Sequence, residues 1–401
     1  MHPSILPPAV RTACVVGGGP AGAVSALLLA ESGWQVTLLE RHSKPRAKCC
    51  GECLVPRAVT WLQDIGLGDA LKSAQAGTTR AVRMLDARAA GAEAVWTHQF
   101  KGQPGAIVPR MAFDAALRAR AQSAGVTIRT GEGARLVSMG GNGSPATLVT
   151  TAATGATTGT SPPANPRELH FDLVVAADGV GSAIARGAGL APAATGSRAG
   201  WSFTFTGCSD DHTLAPDGTI DLILFGSAYL GLVRRGDAVH MAAIVERGDQ
   251  WPSTPADALR MMAERAPPLA QFLARYQATQ PMPALEAACG PLPWKPRAVT
   301  ASRVVLVGDA AGYAEPYTGE GMGWAIEGAM LLGTCFRDGW SAAAAADYQE
   351  RWRATIGRAQ AHTLRVGLLL RGGRLAAHAT RAAVNLAPWA ARRASEMVVG
   401  A

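Results

Sequence analysis

The chain has 401 residues, of which 48% are hydrophobic and 17% charged, with a formal net charge of +8. That length and apolar content sustain a sizeable core and exceed one typical domain, so two interlocked domains are expected and wholesale disorder is excluded. No apolar run reaches the roughly 18 to 20 residues that cross a bilayer, and the arm before Thr12 lacks a signal peptide's apolar centre, which leaves the cytoplasm as the expected location.

Seven cysteines without the spacing of a small disulfide scaffold point to reduced thiols. Cys49, Cys50 and Cys53 lack a second pair of ligands, so no metal is assigned to them. The basic balance would suit nucleic acid, anionic lipid or an acyl carrier protein. No short basic run is interleaved with aromatics, however, and nucleic-acid binding is not expected. A solvated basic surface accounts for the charge.

In chain order, residues 12–16 form a short apolar strand ending at Gly17. Residues 21–30 are a small-residue and leucine-rich helix closed by Gly33, and residues 34–39 are a second strand, which completes a βαβ unit. Residues 118–124 read as helix, 126–129 as strand, and 171–176 as a buried strand running into Asp178. The same rhythm returns late, with a strand at 303–307 and a helix at 323–332. Between them, residues 81–86, 94–100, 201–206, 220–225, 229–233 and 239–245 alternate or run β-rich at short spacing and predict a mainly antiparallel second sheet.

Residues 140–167 carry almost no charge or large apolar side chain and predict a long hairpin loop. From about residue 358, Arg365, Arg371, Arg374, Arg381, Arg392 and Arg393 stand among Leu, Val and Ala, with Glu396 the only acid. A helical lid with its arginines in water is favoured there over an amphipathic helix lying on anionic lipid.

The segment Gly17 to Gly22, GGGPAG, follows a strand and opens a helix. Gly17 permits the tight turn, Gly19 lets backbone approach a pyrophosphate, and Gly22 lets helix pack on strand. The helix N-terminus offers free N–H groups and positive potential to phosphates. Glu40, followed by Arg41, ends the next strand roughly 20 residues on, where a carboxylate accepts hydrogen bonds from ribose hydroxyls. That carboxylate repels a 2'-phosphate, so FAD or NAD fits the unit better than NADP. A glycine turn without a nucleotide is the plain alternative.

Two later stretches, VVAADGVGSAIAR (174–186) and VVLVGDAAGYAEPYTGEGMGWA (304–325), together resemble the flavoprotein hydroxylase superfamily, with its aromatic hydroxylases, geranylgeranyl-reductase-like enzymes and flavin-dependent halogenases. The resemblance implies a glutathione-reductase-like α/β FAD-binding domain with an interleaved antiparallel-sheet substrate domain and C-terminal helices. The corresponding partition is 1–75, 101–190 and 286–345 for FAD, 76–100 and 191–285 for substrate, and 346–401 for the helices.

It further implies that Asp178 and Gly179 lie near the dinucleotide, that Asp309 after Gly308 contacts the ribityl chain, and that Arg110 stands beside the phosphates. Pro316, Gly319, Gly321 and Met322 then belong to the loop and helix start beneath the flavin ring. A helix N-terminus there would stabilise the anionic reduced flavin. AKCCGECLVP (47–56) resembles the CGE segment of geranylgeranyl-reductase-like proteins, which puts Cys50 by the ring, in a redox, proton-donating or packing role. Glu52 and Tyr317 are the other side chains expected near the ring, orienting groups or transferring protons.

The halogenase WxWxIP pattern is absent, since Trp201 is followed by Ser202 and Phe203. The prenyl-reductase YxWxFP pattern is degenerate, with Gly231 and Arg234 in place of its Trp and Pro. Hydroxylation or oxidation of an aromatic or apolar compound, free or tethered to a carrier or peptide, is therefore expected, with NAD(P)H as electron donor and dioxygen as oxidant. Carbon-carbon bond reduction and a flavin-free lipid carrier are the alternatives.

Overall fold

The computed structural model describes residues 10–87, 92–141, 143–152, 166–191, 196–225, 228–246, 254–292, 295–314 and 319–371. A parallel sheet runs Val304–Leu306, Leu173–Ala176, Thr12–Val16, Gln35–Glu40, Thr127–Thr130 in spatial order, with Thr300–Ala301 antiparallel on its outer edge. Its central strands read as unbroken apolar runs because both faces are covered. The helix Pro20–Glu31 is buried on nearly every side because it packs between the helices Arg110–Ser123 and Gly321–Cys335. Gly333 makes room for Leu28 at that crossing, where a Cβ would stand 2.9 Å from the Leu28 Cβ.

A second, seven-stranded sheet runs Ala287–Leu292, Arg198–Phe205, Ala238–Glu246, Ala228–Arg235, Thr219–Phe225, Ala81–Asp86, Ala94–Gln99. Every pairing in it is antiparallel except that of Thr219–Phe225 with Ala81–Asp86. The strand Ala287–Leu292 falls in the stretch the sequence assigned to the nucleotide part, yet it pairs with Arg198–Phe205 in this sheet. Trp201, Phe203 and Phe205 point to one face, where the helices Pro255–Ala263 and Pro267–Gln277 close a core. Phe205 meets Phe272 and Tyr276 edge-on at 5.2 and 5.1 Å. The alternate residues Gly200, Ser202 and Thr204 face the nucleotide side.

The predicted long loop over 140–167 is corrected. Residues Ala146–Ala152 are the middle strand of a three-stranded antiparallel sheet, between Glu132–Ser138 and Glu168–Phe171. Ala146, Leu148 and Thr150 are buried in alternation, a period-two pattern that low charge and small side chains concealed. Residues 153–165 lie outside the described residues, as do 372–401 with Arg374, Arg381, Arg392, Arg393 and Glu396. Before them the helix Arg358–Arg371 carries an exposed Arg365. No helix among the described residues is long and apolar enough to cross a membrane.

Candidate active site at the carboxyl ends of the parallel strands

The first glycine turn is fixed by close backbone approach. Gly17 has φ +107°, and a Cβ there would lie 2.3 Å from the carbonyl oxygen of Ala177 on the adjoining loop. A Cβ on Gly22 would lie 1.9 Å from the carbonyl oxygen of Gly17. Gly19 is the N-cap of the helix Pro20–Glu31 and supplies no side-chain cap, so the positive end of that helix is open to an anion. Glu40 pins the turn: its Oε2 accepts the Gly18 N–H at 2.9 Å and its Oε1 the His42 N–H at 3.0 Å. Arg41 is exposed, with Nε 3.0 Å from Nε2 of His42.

Two cations converge on the same helix end. Lys48 Nζ stands 3.2 Å from where a Gly19 Cβ would be and 2.8 Å from Asp114 Oδ2. Arg110 reaches the same carboxylate, Nε to Oδ1 at 3.2 Å and Nη2 to Oδ2 at 3.3 Å. One carboxylate between two cations leaves net positive charge against an uncapped helix N-terminus, an unfavourable arrangement until an anion joins it. A pyrophosphate fits this cradle in charge and in the space that the glycines keep clear.

The two later motifs join the groove. Gly308 has φ +57°, and a Cβ on it would lie 2.7 Å from the Ala21 Cβ, which seats Asp309 close to the first helix. Burial pushes the Asp309 carboxyl up to about 6, against the pull of Arg110 and Lys48. Asp178 accepts the Ser182 hydroxyl on Oδ1 and the Ala183 and Ile184 N–H groups on Oδ2, at 2.7 and 3.3 Å for the latter two. Burial still outweighs these bonds and raises its pKa. Its carboxylate thus caps the short helix Ala183–Gly187, while Gly179, at φ +84°, turns the chain beside it.

Gly319, at φ +70°, would place a Cβ 3.8 Å from the Cys53 Cβ, and a Cβ at Gly321 would meet open space. Met322 is buried in the first turn of the helix Gly321–Cys335, whose N-cap Glu320 pairs with Arg57 at 2.6 Å. Pro316 and Tyr317 lie outside the described residues.

The cysteine loop stands across the groove. The Cys50 side chain lies within electrostatic reach of the Arg110 guanidinium, its sulfur accepts the Glu52 N–H at 3.4 Å, and its carbonyl accepts Nε2–H of His240 at 2.8 Å. Glu52 is buried in the left-handed region at φ +56°. Its Oε1 accepts the Arg110 N–H at 3.1 Å, and its Oε2 lies 3.8 Å from Arg235 Nη1. The Glu52 carboxylate is thus engaged at the start of the helix Arg110–Ser123.

Several residues of this neighbourhood escaped the sequence reading. Asp114 is one helical turn from Arg110, a spacing that could have found it. Cys289 and Tyr313 come from separate segments with no local signal, and with Tyr229, the tyrosine of the degenerate YxWxFP stretch, they gather near Asp309 and Cys49. Tyr229, Ile244 and Leu292 form a buried apolar cluster against which Val180, Leu224, Cys289 and Tyr313 pack.

The FAD binding domain family matches this chain over residues 11–216. The chain belongs to that family. It is an FAD-dependent oxidoreductase, in keeping with the cradle above. Menaquinone reductase of Mycobacterium tuberculosis is 28% identical over 334 residues, covering 79% of this chain and 74% of that protein. Klebsiella pneumoniae HpxO, complexed with FAD and uric acid, shares the fold with a TM-score of 0.75 at 19% identity over 97% of each chain. So does 2-methyl-3-hydroxypyridine-5-carboxylic acid oxygenase, with a TM-score of 0.70 at 23% identity over 91% of this chain and 94% of its own.

Proposed function

We propose that this oxidoreductase is a monooxygenase, hydroxylating or oxidising an apolar or aromatic substrate with NAD(P)H as donor and dioxygen as oxidant. The observation that carries the reading is the buried apolar cluster of Tyr229, Ile244 and Leu292 from the seven-stranded sheet, packed against Val180 and Tyr313 of the segments that carry Asp178 and Asp309. Oxygen transfer needs a site that excludes water, because water diverts the oxidant to hydrogen peroxide. An apolar wall also selects an apolar or aromatic ring over a charged substrate. The oxygenase among the structural neighbours supports the reading.

In this reading Gly17, Gly19 and Gly22 with the first helix hold the pyrophosphate, together with Lys48 and Arg110. Glu40 and Arg41 flank the adenosine ribose, Asp178 and Gly179 line the dinucleotide, and Asp309 after Gly308 hydrogen-bonds the ribityl chain. Gly319, Gly321 and Met322 border the ring. FAD, when bound, supplies two-electron chemistry and access to dioxygen. The seven-stranded sheet is the substrate domain interleaved with the FAD domain. The substrate is small or tethered to a carrier or peptide, nucleic acid is not a partner, membrane contact is not favoured, and the setting is cytoplasmic.

Reduction of a carbon-carbon double bond is the second reading. It is favoured by the menaquinone reductase relative and by the place of the Cys50 thiol near the Arg110 guanidinium. Oxygen uptake with NADH and with NADPH, in the presence of candidate aromatic substrates, separates the two. Stoichiometric uptake with hydroxylated product is expected. Substrate turnover that persists under argon rules out the monooxygenase and leaves the reductase.

A further inference from the structure

We propose that Cys49 and Cys289 form a dithiol beside the flavin groove that hydrogen peroxide closes to a disulfide. Cys289 stands opposite Gly200 in the register of neighbouring strands, and Cys49 comes down on the same spot from the cysteine loop. A Cβ at Gly200 would fall 2.7 Å from the Cys49 sulfur and 2.8 Å from the Cys289 sulfur. Two sulfurs from distant parts of the chain therefore share the space that one absent side chain leaves open. Both belong to half-buried residues next to Asp309 and Tyr313, at the groove itself.

The two thiols are unequal. The adjacent Cys49 side chain lowers the pKa of Cys289, while Cys289 and burial push Cys49 up. Burial also raises Cys14, Cys53, Cys208 and Cys335. The thiolate is the reactive form, so Cys289 is the attacking sulfur and Cys49 the resolving one.

Hydrogen peroxide is the oxidant, the two-electron product of dioxygen that reduced flavin releases when no substrate takes up the oxygen. The Cys289 thiolate attacks one peroxide oxygen and breaks the O–O bond, giving a sulfenic acid and hydroxide, which takes a proton to become water. The Cys49 sulfur then attacks the sulfenic sulfur, forming the S–S bond and expelling a second water. In balance, two thiols and one peroxide give one disulfide and two waters. The bond would tether the loop that carries Cys50 to the strand Ala287–Leu292, so idle turnover would lock the ring end of the groove. This holds for either reaction proposed above, since it requires only the flavin groove.

The test is peptide mass spectrometry of FAD-loaded protein treated with one equivalent of peroxide and alkylated under denaturing conditions. Two of the seven thiols should become inaccessible, with fragment ions placing the link between Cys49 and Cys289 and dithiothreitol restoring both. In Cys49→Ser the oxidation should stop at a dimedone-reactive Cys289, and in Cys289→Ser no link should form. Should either variant fold poorly, the wild-type peptide map decides alone. A link among Cys49, Cys50 and Cys53, oxidation of Cys289 without a link, or seven unchanged thiols under excess peroxide would each overturn the proposal.

Discussion

At the phosphate end of the groove, backbone comes close because side chains are missing, and only the cations Lys48 and Arg110 join it from outside the first unit. Gly17, Gly19, Gly22 and Glu40 all lie within one βαβ unit. At the ring end the groups are side chains, drawn from the cysteine loop, the strand Arg198–Phe205, the strand Ala238–Glu246, the strand Ala287–Leu292 and the turn after Asp309. The first arrangement is mostly local and indifferent to substrate. The second is assembled over long range and can change chemistry without disturbing the cofactor's phosphates. The two ends should therefore respond to mutation separately, cofactor retention belonging to one and turnover to the other.

The largest effect is expected from Gly22→Ala. Its Cβ would stand 1.9 Å from a backbone oxygen, and no flexible side chain can give way. Overpacking of that kind costs about 1 to 3 kcal/mol or more, and every 1.4 kcal/mol is about tenfold in affinity. The purified variant should be nearly colourless, with FAD affinity down by about 10-fold to 100-fold or more in a fluorescence titration. Flavin content equal to wild type would mean that helix and turn are not the phosphate site.

Asp309 joins the two ends and should give an intermediate effect with a pH signature. Its carboxyl is raised by burial from 3.8 to about 6. A raised folded value means that protonation favours the folded apoprotein. That contribution is complete below the ordinary value and is lost as the pH climbs through about 6. Asp309→Asn mimics the neutral form, so the variant apoprotein should melt about 2 to 4 °C above wild type at pH 8 and with wild type at pH 4. Its FAD affinity at pH 8 should drop about tenfold, for loss of a charged hydrogen-bond acceptor. Coincident melting curves at both pH values would show that the carboxyl is not desolvated in the apoprotein.

The same division explains what was legible in the sequence. The βαβ unit, the late strand and helix, and most strands of the second sheet could be read because periodicity and glycine spacing are local properties. Residues 146–152 were misread because Ala and Thr dominate a strand whose alternation is of size and burial, with little contrast in polarity. At the groove, Gly308 and Asp309 could be placed because a strand end fixes where they stand. Cys289 and His240 could not, since their contacts with Cys49 and the Cys50 carbonyl depend on how two sheets are apposed. Glu52 was expected near the ring as a proton-transfer or orienting group, and its engagement with the Arg110 N–H needed the left-handed turn to be seen.

The smallest effect, and the sharpest test of separation, is expected from His240. Its Nε2–H reaches the Cys50 carbonyl at 2.8 Å, and its Nδ1 lies 3.0 Å from Thr204 Oγ1, which in turn donates to Glu286 Oε2 at 2.9 Å. This chain runs from the second sheet to the cysteine loop and meets the phosphate end only through Cys50, whose side chain lies near Arg110. His240→Phe removes the donor and leaves a part-buried carbonyl without it, at a cost of about 1 to 3 kcal/mol. If the loop then shifts only in part, turnover should fall about 3-fold to 10-fold, chiefly in kcat, while flavin content stays at the wild-type level. His240→Gln keeps an N–H within reach and should recover much of the loss, which a mere packing role for the imidazole would not produce. Flavin loss in His240→Phe as severe as in Gly22→Ala would instead show that the two ends fold and bind as one unit.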